Sequence, residues 1–182
     1  MREGIVFVVV TLALAFVSRA SLRRPGSHGF YRFFAWECML GLFVLNMRVW
    51  YVDTNSARQI ISGLLFFASL LLVLFGVGLL QRSGKPDTKR DDAPMLEFEK
   101  TTTLVTTGIY RYIRHPIYDS LFFLCWGFFF KQPSLIGGVL AVIASGFLVT
   151  AARAEEIESI NYFGEDYREY IKRTKMFVPF IL

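Results

Sequence analysis

The chain has 182 residues, of which 54% are hydrophobic and 19% charged, with a formal net charge of +5. That composition is too apolar for an ordinary soluble domain and short enough for one domain only. Basic loops beside anionic lipid account for the charge without a nucleic-acid partner, and two cysteines and two histidines give neither a disulfide framework nor a metal-ligand set.

In chain order, the first apolar run covers residues 4–17. A cleaved signal peptide is one reading of it. The basic flank Ser18-Arg19-Ala20-Ser21-Leu22-Arg23-Arg24 reads better as the end of a retained helix. Further apolar runs cover 33–52, 60–80, 117–130 and 135–152. A helix needs about 20 residues to cross a bilayer core, and the shorter runs can borrow flanking Tyr, Trp and Arg. The pattern predicts an all-α integral membrane protein with five transmembrane helices and a cytosolic helical tail. Residues 25–29 are expected to be a plain loop. Sixteen of the twenty Lys and Arg side chains fall on one side of this arrangement. The other four are Arg2, Arg48, Arg58 and Lys131. The positive-inside rule then sets the N-terminus outside and the C-terminus in the cytosol.

Small residues mark helix contacts: Ser62, Ser69 and Gly76 in the third helix, Gly137, Ala141 and Ser145 in the fifth. Lys131-Gln132-Pro133 reads as a tight turn, so the last two spans form an antiparallel hairpin. Residues 84–94 are expected to be mobile and solvated. Residues 101–108 are β-branched and should run extended into a turn at Gly108. The tail, 153–175, repeats Ile157, Ile160, Phe163 and Tyr167 at helical spacing, with a break at Gly164. The apolar residues 177–182 should return to the membrane surface.

Two polar clusters stand at the ends of the hairpin. Pro116 suits the first turn of a helix, so His115 sits at the start of the fourth span with Tyr118 on the same face. A helix cap with an aromatic belt is the plainer reading. Glu155 and Glu156 follow the fifth span directly. They are either a solvated helix face or a carboxylate pair for a ribose diol or a ligand ammonium. The hairpin should bring the two clusters together. Glu37, Asn46 and Arg48 are too polar to face lipid, and serve either a cleft or helix pairing.

The order Gly108-Ile-Tyr-Arg-Tyr-Ile-Arg-His-Pro-Ile-Tyr118, a hairpin, Arg153-Ala-Glu-Glu156, Tyr162-Phe-Gly-Glu-Asp-Tyr167-Arg-Glu-Tyr170 and Val178-Pro179 strongly resembles the isoprenylcysteine carboxyl methyltransferase family, in a short prokaryotic form. The resemblance implies S-adenosylmethionine as methyl donor, with S-adenosylhomocysteine as product. It implies that His115, Tyr118, Glu155 and Glu156 bind the donor. Leu104, Val105, Gly108 and Tyr110 would line its adenosine side, and Tyr167 and Arg173 lie in the matching tail. Residues 1–80 would then form the acceptor side of a single domain and 81–182 the donor side. Where the family pattern has an arginine before the glutamates, this chain has Ala151-Ala152.

A cysteine carboxylate needs no general base, so the implied work is alignment and water exclusion. An arginine, Arg173 or else Arg153, would hold the acceptor carboxylate. The implied substrate is a prenylated cysteine or similar lipid-soluble acid taken from the bilayer, with no obligate protein partner. Methylation of a phospholipid amine is the alternative, with His115 or Glu156 as base. An NADPH-dependent sterol-type reductase and a non-enzymatic tether are the remaining readings.

Overall fold

The computed structural model of the chain describes residues 2–90 and 94–178. Its elements are α1 (Arg2–Val17), α2 (Arg19–Leu22), α3 (His28–Asn46), α4 (Ala57–Ser83), α5 (Pro116–Lys131), α6 (Leu135–Phe163) and α7 (Glu165–Arg173). Short 3-10 turns cover Met47–Val49, Glu97–Glu99 and Gly108–Arg111. Among the described residues there are only isolated β-bridges and no strand, in keeping with the all-α expectation. Two helices, Ala57–Ser83 and Leu135–Phe163, are long and apolar enough to cross a membrane.

Local chemistry sets the helix ends. The Ser27 hydroxyl accepts from the Phe30 N–H at 3.2 Å, an N-cap, so α3 begins at His28 and not beyond it. Residues 25–29 are therefore not the plain loop expected. Asn46 ends the same helix by donating to the carbonyls of Leu42 at 2.9 Å and Phe128 at 3.0 Å. Ser134 caps α6 through the Gly137 N–H at 3.1 Å. That helix runs without interruption from the hairpin turn into the tail. Its 29 residues span about 43 Å, well beyond a bilayer core of about 30 Å. Gly164 stops it with φ +64°, a conformation glycine adopts freely, and the expected break is found there.

The hairpin helices do touch, yet each packs most extensively on an earlier one: α5 on α4, and α6 on α3. The Ser62 hydroxyl donates to the Gly127 carbonyl at 2.8 Å, and Ser69 to the Ser120 carbonyl at 2.7 Å. A Cβ at Gly76 would come within 3.1 Å of Ile117 and 3.6 Å of Pro116. The small-residue stripe of α4 is thus the face that receives α5. A core of Met39, Leu42, Cys125, Ala141 and Ala144 joins α3, α5 and α6. Large apolar side chains such as Leu12, Phe16, Leu64, Phe67, Leu74 and Val142 stay exposed, a surface that belongs against lipid.

The polar residues of α1 and α3 serve helix pairing. Glu37 accepts from the Thr11 hydroxyl at 2.8 Å. Arg48 is 81% exposed and pairs with Glu3 at 2.6 Å, so it does not line a cleft. Arg58, which pairs with Asp53 at 3.3 Å, also donates to the Lys131 carbonyl. The segment after α4 is less solvated than its composition suggests. Arg90 is buried, donates to the Thr101 carbonyl and stacks 3.7 Å from the Tyr162 ring centroid. Residues 91–93 and 179–182, part of the expected solvated loop and membrane-returning end, lie outside the described residues.

A side chain at Gly127 has no room, because its Cβ would come within 2.5 Å of the Phe66 ring. Gly127→Leu is expected to separate α4 from α5 and cost about 1–3 kcal/mol. Gly146→Ala, with nothing within 4 Å, should leave the melting temperature unchanged. Thermal unfolding in detergent compares the two; equal melting temperatures would remove the α4–α5 seam as a source of stability.

Candidate functional site

The site begins with backbone pairing. The tail folds back after α7 and zips onto the stretch before α5. The Lys175 N–H donates to the Tyr112 carbonyl at 3.1 Å, the Arg114 N–H to Lys175 at 2.8 Å, and the His115 N–H to Met176 at 3.2 Å. The Tyr170 hydroxyl adds a bond of 2.6 Å to the Tyr110 carbonyl. These bonds satisfy polar backbone that would otherwise be buried unpaired next to α5.

Arg114 fastens the same layer to α6. Its Nε donates to Glu156 Oε1 at 2.6 Å and one terminal nitrogen donates to the Thr174 carbonyl at 2.6 Å. His115 is 3% exposed. Its Nδ1 lies 3.9 Å from Glu155 Oε1, and its Nε2 lies 3.5 Å from Glu156 Oε1. Both are longer than a well-formed hydrogen bond. Burial pushes the Glu156 carboxyl up, and the adjoining His115 and Arg114 outweigh it, leaving its pKa below the usual range. The Nε2 atom of His115 and the hydroxyl of Tyr118 are buried with no hydrogen-bond partner.

These groups surround a cavity of ≈ 80 Å³. Of the residues singled out in the sequence, Tyr110, His115, Tyr118 and Glu155 line it. Glu156 stands behind His115, gripping Arg114. Leu104, Gly108 and Arg173 line a separate outer groove of ≈ 990 Å³. Val105 and Tyr167 are buried, and the Tyr167 ring packs 5.7 Å from Tyr170. Arg153 is exposed. The structure thus divides the expected set between an inner cavity and an outer groove.

The rest of the cavity wall was missed in the sequence. His28, Arg32 and Glu99 line it too. His28 is 1% exposed. Its backbone N–H donates to Glu158 Oε1 at 3.0 Å, its Nδ1 meets Glu158 Oε2, and its Nε2 lies 3.6 Å from Glu99 Oε2. Arg32 donates to the other oxygen of Glu99. Burial lowers the pKa of His28, and the Glu158 and Glu99 carboxylates beside its ring override that, raising it to about 10. The imidazolium is therefore a fixed charge at neutral pH. A signal was present: His28 is one of two histidines and, like His115, stands at the start of an apolar helix.

Chemically the cavity offers donors (His115, Tyr118, Arg32), a half-buried carboxylate (Glu155) and aromatic walls. Unpaired buried polar atoms cost free energy, and a ligand carrying both polar and cationic groups would satisfy them. Among the described residues no His, Cys, Asp and Glu group has metal-ligand geometry.

The sequence model of the phospholipid methyltransferase family matches residues 58–169. The protein-S-isoprenylcysteine O-methyltransferase of Rattus norvegicus is 35% identical over 117 residues, 63% of this chain and 41% of that protein. The enzyme of that name from Homo sapiens is 36% identical over 115 residues, 62% of this chain and 40% of its own length. The methanethiol S-methyltransferase of Crocosphaera subtropica is 26% identical over 140 residues, 75% of this chain and 53% of that protein. The chain spans about two fifths of the isoprenylcysteine relatives it matches. No solved structure matches it. The family match runs from α4 into α7 and carries His115, Tyr118, Glu155 and Glu156, while His28 and Arg32 lie before it. The chain belongs to the phospholipid methyltransferase family.

Proposed function

We propose that the protein is a membrane-embedded, S-adenosylmethionine-dependent methyltransferase acting on the carboxylate of a prenylated cysteine or a similar lipid-soluble acid. The observation that carries this reading is the convergence of His115, Tyr118 and Glu155 on one cavity, with His115 Nε2 and the Tyr118 hydroxyl buried and unpartnered. Five spans, α1 and α3 to α6, hold the cavity at the cytosolic boundary, with the N-terminus outside. The support for that topology is the segregation of charge. Glu3, Arg48, Asp53, Arg58 and Lys131 lie at one end of the helices, and the basic loops and tail at the other.

S-adenosylmethionine supplies, when bound, a methyl group on a cationic sulfur. The residues present fit such a group. Glu155 brings a carboxylate for ribose hydroxyls or for positive charge, and His115 and Tyr118 bring the unsatisfied polar atoms. An acceptor carboxylate is already ionised near neutral pH, so no side chain has to remove a proton from it. The remaining tasks are orientation and exclusion of water. Arg32 suits the first. It is buried, it lines the cavity, and among the described residues its only hydrogen-bond partner is Glu99. That leaves most of the donors of a guanidinium for a ligand carboxylate. Arg173, exposed in the outer groove, is the less favoured holder. The tail, held by Arg114, packs on His115 through the Met176 carbonyl and the Phe177 ring and suits the second task.

Labelled methyl transfer in detergent, offering N-acetyl-S-farnesylcysteine, phosphatidylethanolamine and methanethiol in parallel, tests the acceptor. Transfer to the prenylcysteine alone is expected. Transfer to the amine or thiol alone would replace this substrate assignment. Donor binding is tested by calorimetry with S-adenosylhomocysteine. His115→Ala and Glu155→Gln are each expected to weaken it by roughly tenfold or more, the loss of one hydrogen bond to a charged group. Unchanged affinity in both would take these residues out of donor binding.

Arg32→Lys should lower kcat/KM for the acceptor while leaving S-adenosylhomocysteine affinity nearly intact, because lysine lacks the planar fork. Equal turnover would take Arg32 out of the carboxylate role. A fourth expectation concerns pH. The folded pKa of His28, about 10, lies above its unfolded value of about 6.5. Its contribution to stability is therefore full below about pH 6.5 and is lost as pH rises toward 10. Melting temperature should fall across that window, and His28→Gln should flatten the fall. Parallel curves for the two proteins would contradict the charged clamp.

A further inference from the structure

Leu71, Leu74, Phe75, Gly78 and Leu79 share one face of α4, because they recur at spacings of three and four. With Gly108 and Ile109 of the adjoining 3-10 turn they line an apolar groove of ≈ 520 Å³. Leu74 and Phe75 are each 61% exposed. Gly78 gives the groove its room, since a Cβ built there meets nothing within 4 Å. The helix is long and apolar enough to cross a membrane, so a face of exposed leucine and phenylalanine on it belongs against lipid.

Among the described residues one charged side chain lines this groove, and it stands at one end. Arg82 follows Gly78 by one turn, in the last turn of α4. It is exposed and, among the described residues, makes no hydrogen bond or ion pair. Arg32, Arg90 and Arg114 are all engaged with protein acceptors. A cation in the last turn of a helix suits the dipole, but the dipole gives no reason for an apolar groove leading away from it. From Arg82 to Leu71 the helix rises about 16 Å. That equals one leaflet, half of a hydrocarbon core of about 30 Å.

We propose that the groove is a binding site for an anionic phospholipid, with the phosphate on Arg82 and one acyl chain laid along Leu79, Gly78, Phe75 and Leu71. A guanidinium pairs phosphate oxygens in two-point fashion. The order along the helix, cation first and apolar groove beneath, is the order of head and chain in one leaflet. The site is distinct from the cavity and touches it through one turn. Gly108 and Ile109 form the groove wall, and Tyr110, the next residue, lines the cavity. A seated chain braces the turn that carries Tyr110.

The test is native mass spectrometry of the full chain released from micelles that hold equal amounts of phosphatidylglycerol and phosphatidylcholine with identical chains. Wild type should retain phosphatidylglycerol over phosphatidylcholine by about fivefold, the value of one arginine beside anionic lipid. Arg82→Gln should bring the ratio close to one, while Arg23→Gln, an exposed arginine outside the groove, should leave it unchanged. Gly78→Leu fills the groove and should lower retention of both lipids. Gly146→Leu, at a position equally open, should retain both. Circular dichroism and monodisperse elution verify that the variants fold. Equal retention of the two lipids by wild type, an equal fall in Arg82→Gln and Arg23→Gln, or a Gly78→Leu protein that retains lipid like wild type would overturn the site.

Discussion

A buried guanidinium holds this structure's working end together. Arg114 reaches across from the start of α5 to Glu156 on α6 and to the Thr174 carbonyl in the returning tail. Three segments far apart in sequence thereby share one charge. Taking an arginine and a glutamate out of water is expensive, and mutual attraction offsets the cost only when further hydrogen bonds complete the geometry. Thr174 and the zipped backbone of 112–115 with 175–176 provide them. The pair acts together with the apolar docking of Met176 and Phe177 on the core, which also covers His115.

The second network, His28 with Glu158 and Glu99 and Arg32 with Glu99, does for the N-terminal half what Arg114 does for the C-terminal half. It brings the start of α3 and the loop after α4 onto the extension of α6. The continuous length of α6 makes both networks possible. Glu155, Glu158 and Ser159 fall on one side of the helix at spacings of three and four, beyond the depth at which a bilayer would bury them. A helix that ended at the membrane surface would carry no such stripe.

Much of this was legible in the sequence because it is local. Apolar runs and their small-residue stripe gave the helices and the α4–α5 seam. Pro116 marked the start of α5, and Gly164 the end of α6. The hairpin argument correctly brought His115 to Glu155 and Glu156, since a three-residue turn leaves little freedom. What stayed hidden depends on long-range pairing. His28 meets Glu158 across 130 residues, and Arg32 meets Glu99 across 67; no periodicity encodes either. The same limit hid Arg32, which lines the cavity from a helix without a recognisable motif, while Arg173 lines the outer groove. Arg90 was assigned to a solvated loop by composition, and its stacking on Tyr162 is likewise non-local.

The placement of His28 and Arg32 outside the matched stretch bears on how specificity arises in such a small protein. The relatives carry names that differ in the atom methylated, oxygen in one and sulfur in another. We propose a shared donor side with a variable acceptor side as the origin of that difference. Arg32 on α3 lies before the matched stretch, and it is a buried ionisable group whose cost packing alone gives no reason to keep.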